Sequence, residues 1–199
     1  MAGGSSLAIA TCTAVLKDLL DNRIVQRDIA SIVGDVIVTA LPPDRIQVGS
    51  EERPQLNLFL YRVTPNTRWR GEPGGRAGGT NGASGIALDL HYLLSAYGAQ
   101  DLQQEVLLGY AVQVFREAAH FSEERIRATL AAMSQNGAAG SRIARAVAGA
   151  AEGPAWVGNI EVVPEFQSME DVSKLWSALQ ARYRPSVTYK VSMVVIDAD

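Results

Sequence analysis

Apolar positions recur along this chain with two distinct periods. Over residues 7–22, Ala8, Cys12, Val15, Leu16 and Leu19 fall at the i, i+4, i+7, i+8, i+11 spacing of a single buried helical stripe, with Ser5 or Ser6 as the cap. Cys12 reads there as a small core hydrophobe rather than a reactive thiol. The run Asp35-Val36-Ile37-Val38-Thr39-Ala40 predicts a short strand, stopped by Pro42 and Pro43 because neither proline can donate to a ladder. Two further strands are predicted over residues 55–63 and 86–97. In the second of these, Ile86, Leu88, Leu90, Tyr92 and Leu94 share one face and Asp89, His91 and Ser95 the other, so one face is core and the other is wet or at an interface.

Helical spacing returns after Asp101, the predicted cap of a helix reaching Ala119, with Gln104 at the capping-box position. Leu107, Leu108, Ala111, Val112, Val114, Phe115, Ala118 and Ala119 fill an arc of about 160° at 100° per residue. Leu102, Val106 and Tyr110 form a second stripe outside that arc, so the helix is either sandwiched or faces a partner. Another helix starts at Ser122-Glu123-Glu124, where acidic residues suit the helix dipole, and should fade near Ser134. A strand at residues 160–163 and a helix over 169–182 follow. That helix is capped by Ser168 and buries Val172, Leu175, Trp176 and Leu179. In the last strand Val187, Tyr189, Val191, Met193 and Val195 alternate with Ser186, Thr188, Lys190 and Ser192.

Helices do not alternate regularly with strands, so the expected fold class is α+β: a largely antiparallel sheet with packed helices. Neither an internal repeat nor a domain boundary is visible. A single domain over residues 1–199 is therefore expected, with flexible insertions at about 64–84 and 135–158. The first insertion is rich in glycine and carries Arg68, Trp69, Arg70 and Arg76; a connection of this length is usually either a functional loop or disordered. The second is an Ala/Gly segment, a loose helix or a loop, with Arg142 and Arg145 one turn apart.

Composition narrows the function. A net charge of −3 argues against a duplex-wrapping nucleic-acid protein, which usually carries a basic surplus. The single cysteine excludes an intramolecular disulfide and a cysteine-based zinc site. The first residues lack the basic start and apolar run of a secretory signal, and no stretch of about 18 apolar residues is present, so synthesis and folding in the cytoplasm without membrane insertion are expected.

Little in the sequence points to catalysis. Gly74 to Thr80 lacks the lysine of a phosphate loop and leads into a strand rather than a helix. Asp89 and His91 project from the same side of one strand, about 7 Å apart, and could orient a general base. They lack a serine in a strained elbow and a third metal ligand, so a surface or interface pair is expected. The arginines around Trp69 suit an acidic protein surface, with single-stranded nucleic acid as the alternative target.

The segments Leu88-Asp89-Leu90-His91-Tyr92-Leu93-Leu94-Ser95-Ala96-Tyr97-Gly98, Leu107-Leu108-Gly109-Tyr110-Ala111, Ser173-Lys174-Leu175-Trp176-Ser177-Ala178-Leu179-Gln180 and Tyr183-Arg184-Pro185-Ser186-Val187 resemble, in this order, the N-terminal domain of the cap or tail-terminator proteins of phage-tail-like contractile injection systems. The resemblance extends over nearly the whole chain. It implies a homohexamer, a sixfold ring on the baseplate-distal end of the inner tube that stops tube growth and holds the last sheath ring. The inner tube protein and the sheath protein are then the partners, and neither a cofactor nor a metal nor catalytic residues are implied. A bacteriophage tail-completion protein is the related alternative, and an enzyme using Asp89 and His91 the distant one. Within this reading, Arg68, Trp69, Arg70 and Arg76 are candidates for the tube or sheath contact, and Leu102, Val106 and Tyr110 for the subunit interface. The particle would be assembled in the bacterial cytoplasm, then released or retained.

Overall fold

The computed structural model of the chain describes residues 4–67, 86–135, 142–149 and 157–196. A 3-10 turn, Gly4–Leu7, leads into helix α1, Ala8–Gln26, which buries the whole stripe from Ala8 to Leu19 and adds Leu20 and Ile24. The helix outruns its expected end by a turn because no breaker intervenes before Asp28, whose φ of 52° turns the chain. Burial pushes the Cys12 thiol up to about 12, so it stays protonated and inert at neutral pH. A short helix α2, Ala30–Val33, closes this region.

Six strands, β1 (Ile37–Thr39), β2 (Gln55–Pro65), β3 (Ile86–Tyr97), β4 (His120–Phe121), β5 (Val157–Glu165) and β6 (Ser186–Ile196), form one sheet in the order β1-β2-β3-β6-β5-β4. Among the described residues only β1 and β2 run parallel and the other pairings are antiparallel, in agreement with the largely antiparallel sheet expected. The long hairpin of β2 and β3 places Gln55 opposite Tyr97 and Pro65 opposite Leu88.

Two irregularities in this ladder change which side chains face the core. The register of β2 slips at Tyr61, between the pairs Leu60–Tyr92 and Arg62–His91. In β6, Val194 pairs with Leu88 and Val191 with Leu90, so one extra residue of β6 opposes β3. The simple alternation expected for the last strand therefore breaks: Tyr189, Val191 and Val194 are buried, while Val187 and Val195 are only half-buried. The Met193 side chain lies outside the described residues.

The second face of β3, expected to be wet or at an interface, is instead largely covered within the chain itself. His91, Leu93, Ser95 and Tyr97 are all buried. The approach to β6 covers the end of that face, with the Arg184 guanidinium 5.7 Å from the centre of the Tyr97 ring. Central strands covered on both faces read as near-continuous apolar runs, and Leu90 to Tyr97 is such a run broken only by His91 and Ser95.

Helix α3, Gln103–Glu117, lies on the main core through Leu107, Ala111, Val114 and Phe115. Asp101 does not cap it. The preceding residue, Leu102, takes the left-handed conformation, and the Gln103 side chain accepts from the Gln100 N–H at 3.1 Å and donates to the Val33 carbonyl at 2.7 Å. Gln104 is likewise diverted from a capping box and donates to the Gly98 carbonyl.

Helix α4, Glu123–Gln135, starts where its acidic first turn predicts, with the Ser122 hydroxyl accepting from the Arg125 N–H. Part of the expected Ala/Gly insertion is a helix, α5 (Arg142–Gly149), which packs on α4 and α1 and buries Val147 and Ala148. Helix α6, Met169–Ala178, is capped by Ser168, whose hydroxyl accepts from the Asp171 N–H at 3.1 Å. It ends before residue 182, and Gln180 just beyond it takes a φ of 52°. It buries Trp176 fully but leaves Val172, Leu175 and Leu179 half-buried.

Candidate functional site

His91 projects from the face of β3 opposite the main core and is held on both ring nitrogens. Nε2 is 2.9 Å from the Thr64 hydroxyl on β2, and Nδ1 is 2.8 Å from a Glu165 carboxylate oxygen at the end of β5. The Tyr61 ring, displaced by the slip in β2, lies 6.2 Å from the imidazole, and its hydroxyl accepts from Gln167 at 2.6 Å. The expected Asp89–His91 pair does not form. Asp89 instead accepts from the Asn66 side chain at 2.7 Å.

A hydroxyl, an imidazole and a carboxylate in series form the geometric skeleton of a hydrolase triad. Acyl transfer also needs N–H donors aimed at the developing oxyanion. Thr64 lies within the β2–β3 ladder opposite Asp89, and the next residue is Pro65, which has no N–H to offer. The array acts as a brace joining β2, β3 and β5, with His91 satisfied at both nitrogens in a buried position.

A second polar junction lies at the other end of β3. The buried Glu52 carboxylate accepts from the Gly98 N–H at 2.8 Å and pairs with Arg184 at 2.7 Å. An open groove of about 600 Å³ borders it, lined in part by Val33, Asp35, Arg53 and Gln103. Its buried polar side chains, Glu52 and Gln103, are already committed to groups within the chain. Nearby, Asn57 is fully buried and joins β2 to β1 through the Thr39 hydroxyl and to the segment after β1 through the Leu41 N–H and carbonyl. Among the described residues no group of three or more His, Cys, Asp or Glu could hold a metal, and no helix is long and apolar enough to cross a membrane.

Arg68, Trp69, Arg70 and Arg76 lie outside the described residues. Of the second stripe on α3, Leu102 and Val106 are exposed, whereas Tyr110 is buried, with the Arg27 guanidinium 5.8 Å from its ring centre. The outward face continues instead through Gly109. Sequence reasoning missed Glu165 and Glu52, since each is brought to its partner from a distant segment.

These features define an α+β protein in which the junctions around His91 and Glu52 fix strands and loops in place. The model of the Pvc16 N-terminal domain family matches residues 11–199, and the chain belongs to that family. No curated protein matches the sequence. Among solved structures, the PVC sheath/tube terminator of an extracellular contractile injection system, in its extended state, is 16% identical with a TM-score of 0.49, over 88% of this chain and 56% of that one. The tube-terminating cap of the anti-feeding prophage is 17% identical with a TM-score of 0.42, over 89% of this chain and 54% of that one. The chain thus spans little more than half the length of either.

Proposed function

We propose that this chain terminates the inner tube of a contractile injection system and catalyses no reaction. Membership of the Pvc16 N-terminal domain family over residues 11–199 carries this reading. Six copies form a ring on the baseplate-distal tube end, stop further growth and hold the last sheath ring. Assembly takes place in the bacterial cytoplasm, with the whole chain acting as one domain. A stack of rings grows because each ring presents the surface that the next one matches, and a ring that matches on one side only closes the assembly. Several modest contacts made together hold far more tightly than any one alone. Arg68, Trp69, Arg70 and Arg76 contribute the contact with tube or sheath.

Deleting the gene in the producing cell tests the role. Tubes of widely scattered length that shed their sheath are expected by electron microscopy. Intact particles with an unchanged length distribution would refute termination.

A further inference from the structure

The outward side of α3 carries features that the isolated chain does not account for. Leu102 holds a φ of 62° with its side chain 63% exposed, a backbone region that leucine occupies only against steric resistance. Val106, one turn on, is also exposed. Gly109, almost a turn further, sits in the helix interior, where alanine is the better helix former, and a Cβ built there meets nothing within 4 Å. No neighbour within the described chain explains the missing side chain, and its absence leaves room for a second backbone to come close. Asp101 and Glu105 are exposed beside the first turns of this stripe and give that end an acidic edge, while Arg116 is exposed on the same side two turns beyond Gly109.

A face of the opposite character lies elsewhere on the same chain. Helix α5 turns Val147 and Ala148 inward and leaves Ile143 71% exposed. Ala146 and Gly149 are exposed and small, and Arg142 and Arg145 are exposed beside them. At 100° per residue Arg142 projects between Ala146 and Gly149, with Ile143 on one side and Arg145 on the other, so the face is open to close approach and basic. It complements the acidic edge of the α3 stripe in charge.

We propose that the α3 stripe of one copy receives the α5 face of a second copy of this chain. The helices meet at Gly109, and Asp101 and Glu105 lie opposite Arg142 and Arg145. The contact is heterologous: every copy uses both faces, so the arrangement closes into a ring or continues as a filament. This assignment rests on the terminator reading and names the surfaces through which its subunits join.

Sedimentation velocity of the full chain up to about 1 mM, where even a weak contact registers, tests it. The native chain is expected to associate with rising concentration. Glu105→Arg and Arg145→Glu should each associate at least tenfold more weakly, and an equimolar mixture of the two should recover, because the reversed α3 edge of one meets the reversed α5 edge of the other. Gly109→Leu should abolish association while its Tm stays at or above that of the native chain, since leucine favours the helix and enters open space. A native chain that stays monomeric throughout overturns the proposal, as does association that survives either Gly109→Leu or both reversals. The terminator reading is judged separately, by whether the chain is found at tube ends: a chain at tube ends with Gly109→Leu still associating overturns the surface assignment alone.

Discussion

Replacing Glu52 with alanine is expected to destabilise the chain by about 3 kcal/mol, the lower end of the range for breaking a buried ion pair by removing one partner. The Glu52 side chain is only 3% exposed and that of Arg184 19%, so the guanidinium keeps a little water and the upper end is not reached. One carboxylate ties together three segments distant in sequence: the loop before β2 through the Gly49 N–H, the turn after β3 through the Gly98 N–H, and the approach to β6 through Arg184. The guanidinium that it holds lies over Tyr97, so its release also uncovers the far face of β3. Thermal unfolding should show a Tm lower by about 6–12 °C for a chain of this size. Glu52→Gln should lose less, because an amide oxygen still accepts from Gly98. A double variant with Arg184→Met should lose less than the sum of the single changes, since the second removes the charge that the first strands. A Glu52→Ala chain that unfolds with the native one would contradict this account of the junction.

Phe115→Ala should be at least as damaging, at about 3–5 kcal/mol, the usual cost of truncating a fully buried aromatic side chain. Phe115 is 1% exposed and meets Tyr189 of β6 edge to face, with ring centres 4.9 Å apart and planes at 72°. That contact fixes the second half of α3 to the middle of the sheet. Tyr189 is itself so enclosed that burial pushes its phenol up to about 12. Phe115→Leu should keep most of the stability, since it fills much of the same space. Urea unfolding is the appropriate measurement, with the midpoint falling and the slope unchanged. An alanine variant within about 1 kcal/mol of the native chain would mean that α3 is anchored elsewhere.

The elements most legible in the sequence are those with a long, unbroken period. Residues 86–97 were expected as a strand, and β3 occupies Ile86–Tyr97; the stripe from Ala8 to Leu19 gave α1 its buried face. Periodicity fails where the backbone slips. The extra residue in β6 moves Val194 into the core in place of Val195, and nothing in a run of valines marks it. The start of α3 shows a similar limit, because Asp101 is the residue local chemistry favours as a cap. The structure instead uses the Gln103 side chain and a left-handed Leu102.

The polar sites were legible only in part. The sequence singles out His91, but spacing points to Asp89, two residues away, as its partner. Glu165 instead reaches it from 74 residues further along the chain, because β5 ends on the same face of the sheet. Glu52 sits in Ser50-Glu51-Glu52-Arg53, which reads as an ordinary solvated run; only the fold brings Gly98 and Arg184 to it. Spacing groups Tyr110 with Leu102 and Val106, yet it is buried, with the Arg27 guanidinium over its ring, and Gly109 takes the outward position beside Val106 instead.

A terminator sits at one end of a tube and nowhere else along it. Particles purified from the producing cell, labelled with a gold-conjugated antibody against the chain and viewed in negative stain, test it most directly. The account predicts gold at the single end opposite the baseplate and none along the sheath. Intact particles carrying label along their length, at the baseplate, or nowhere would contradict it.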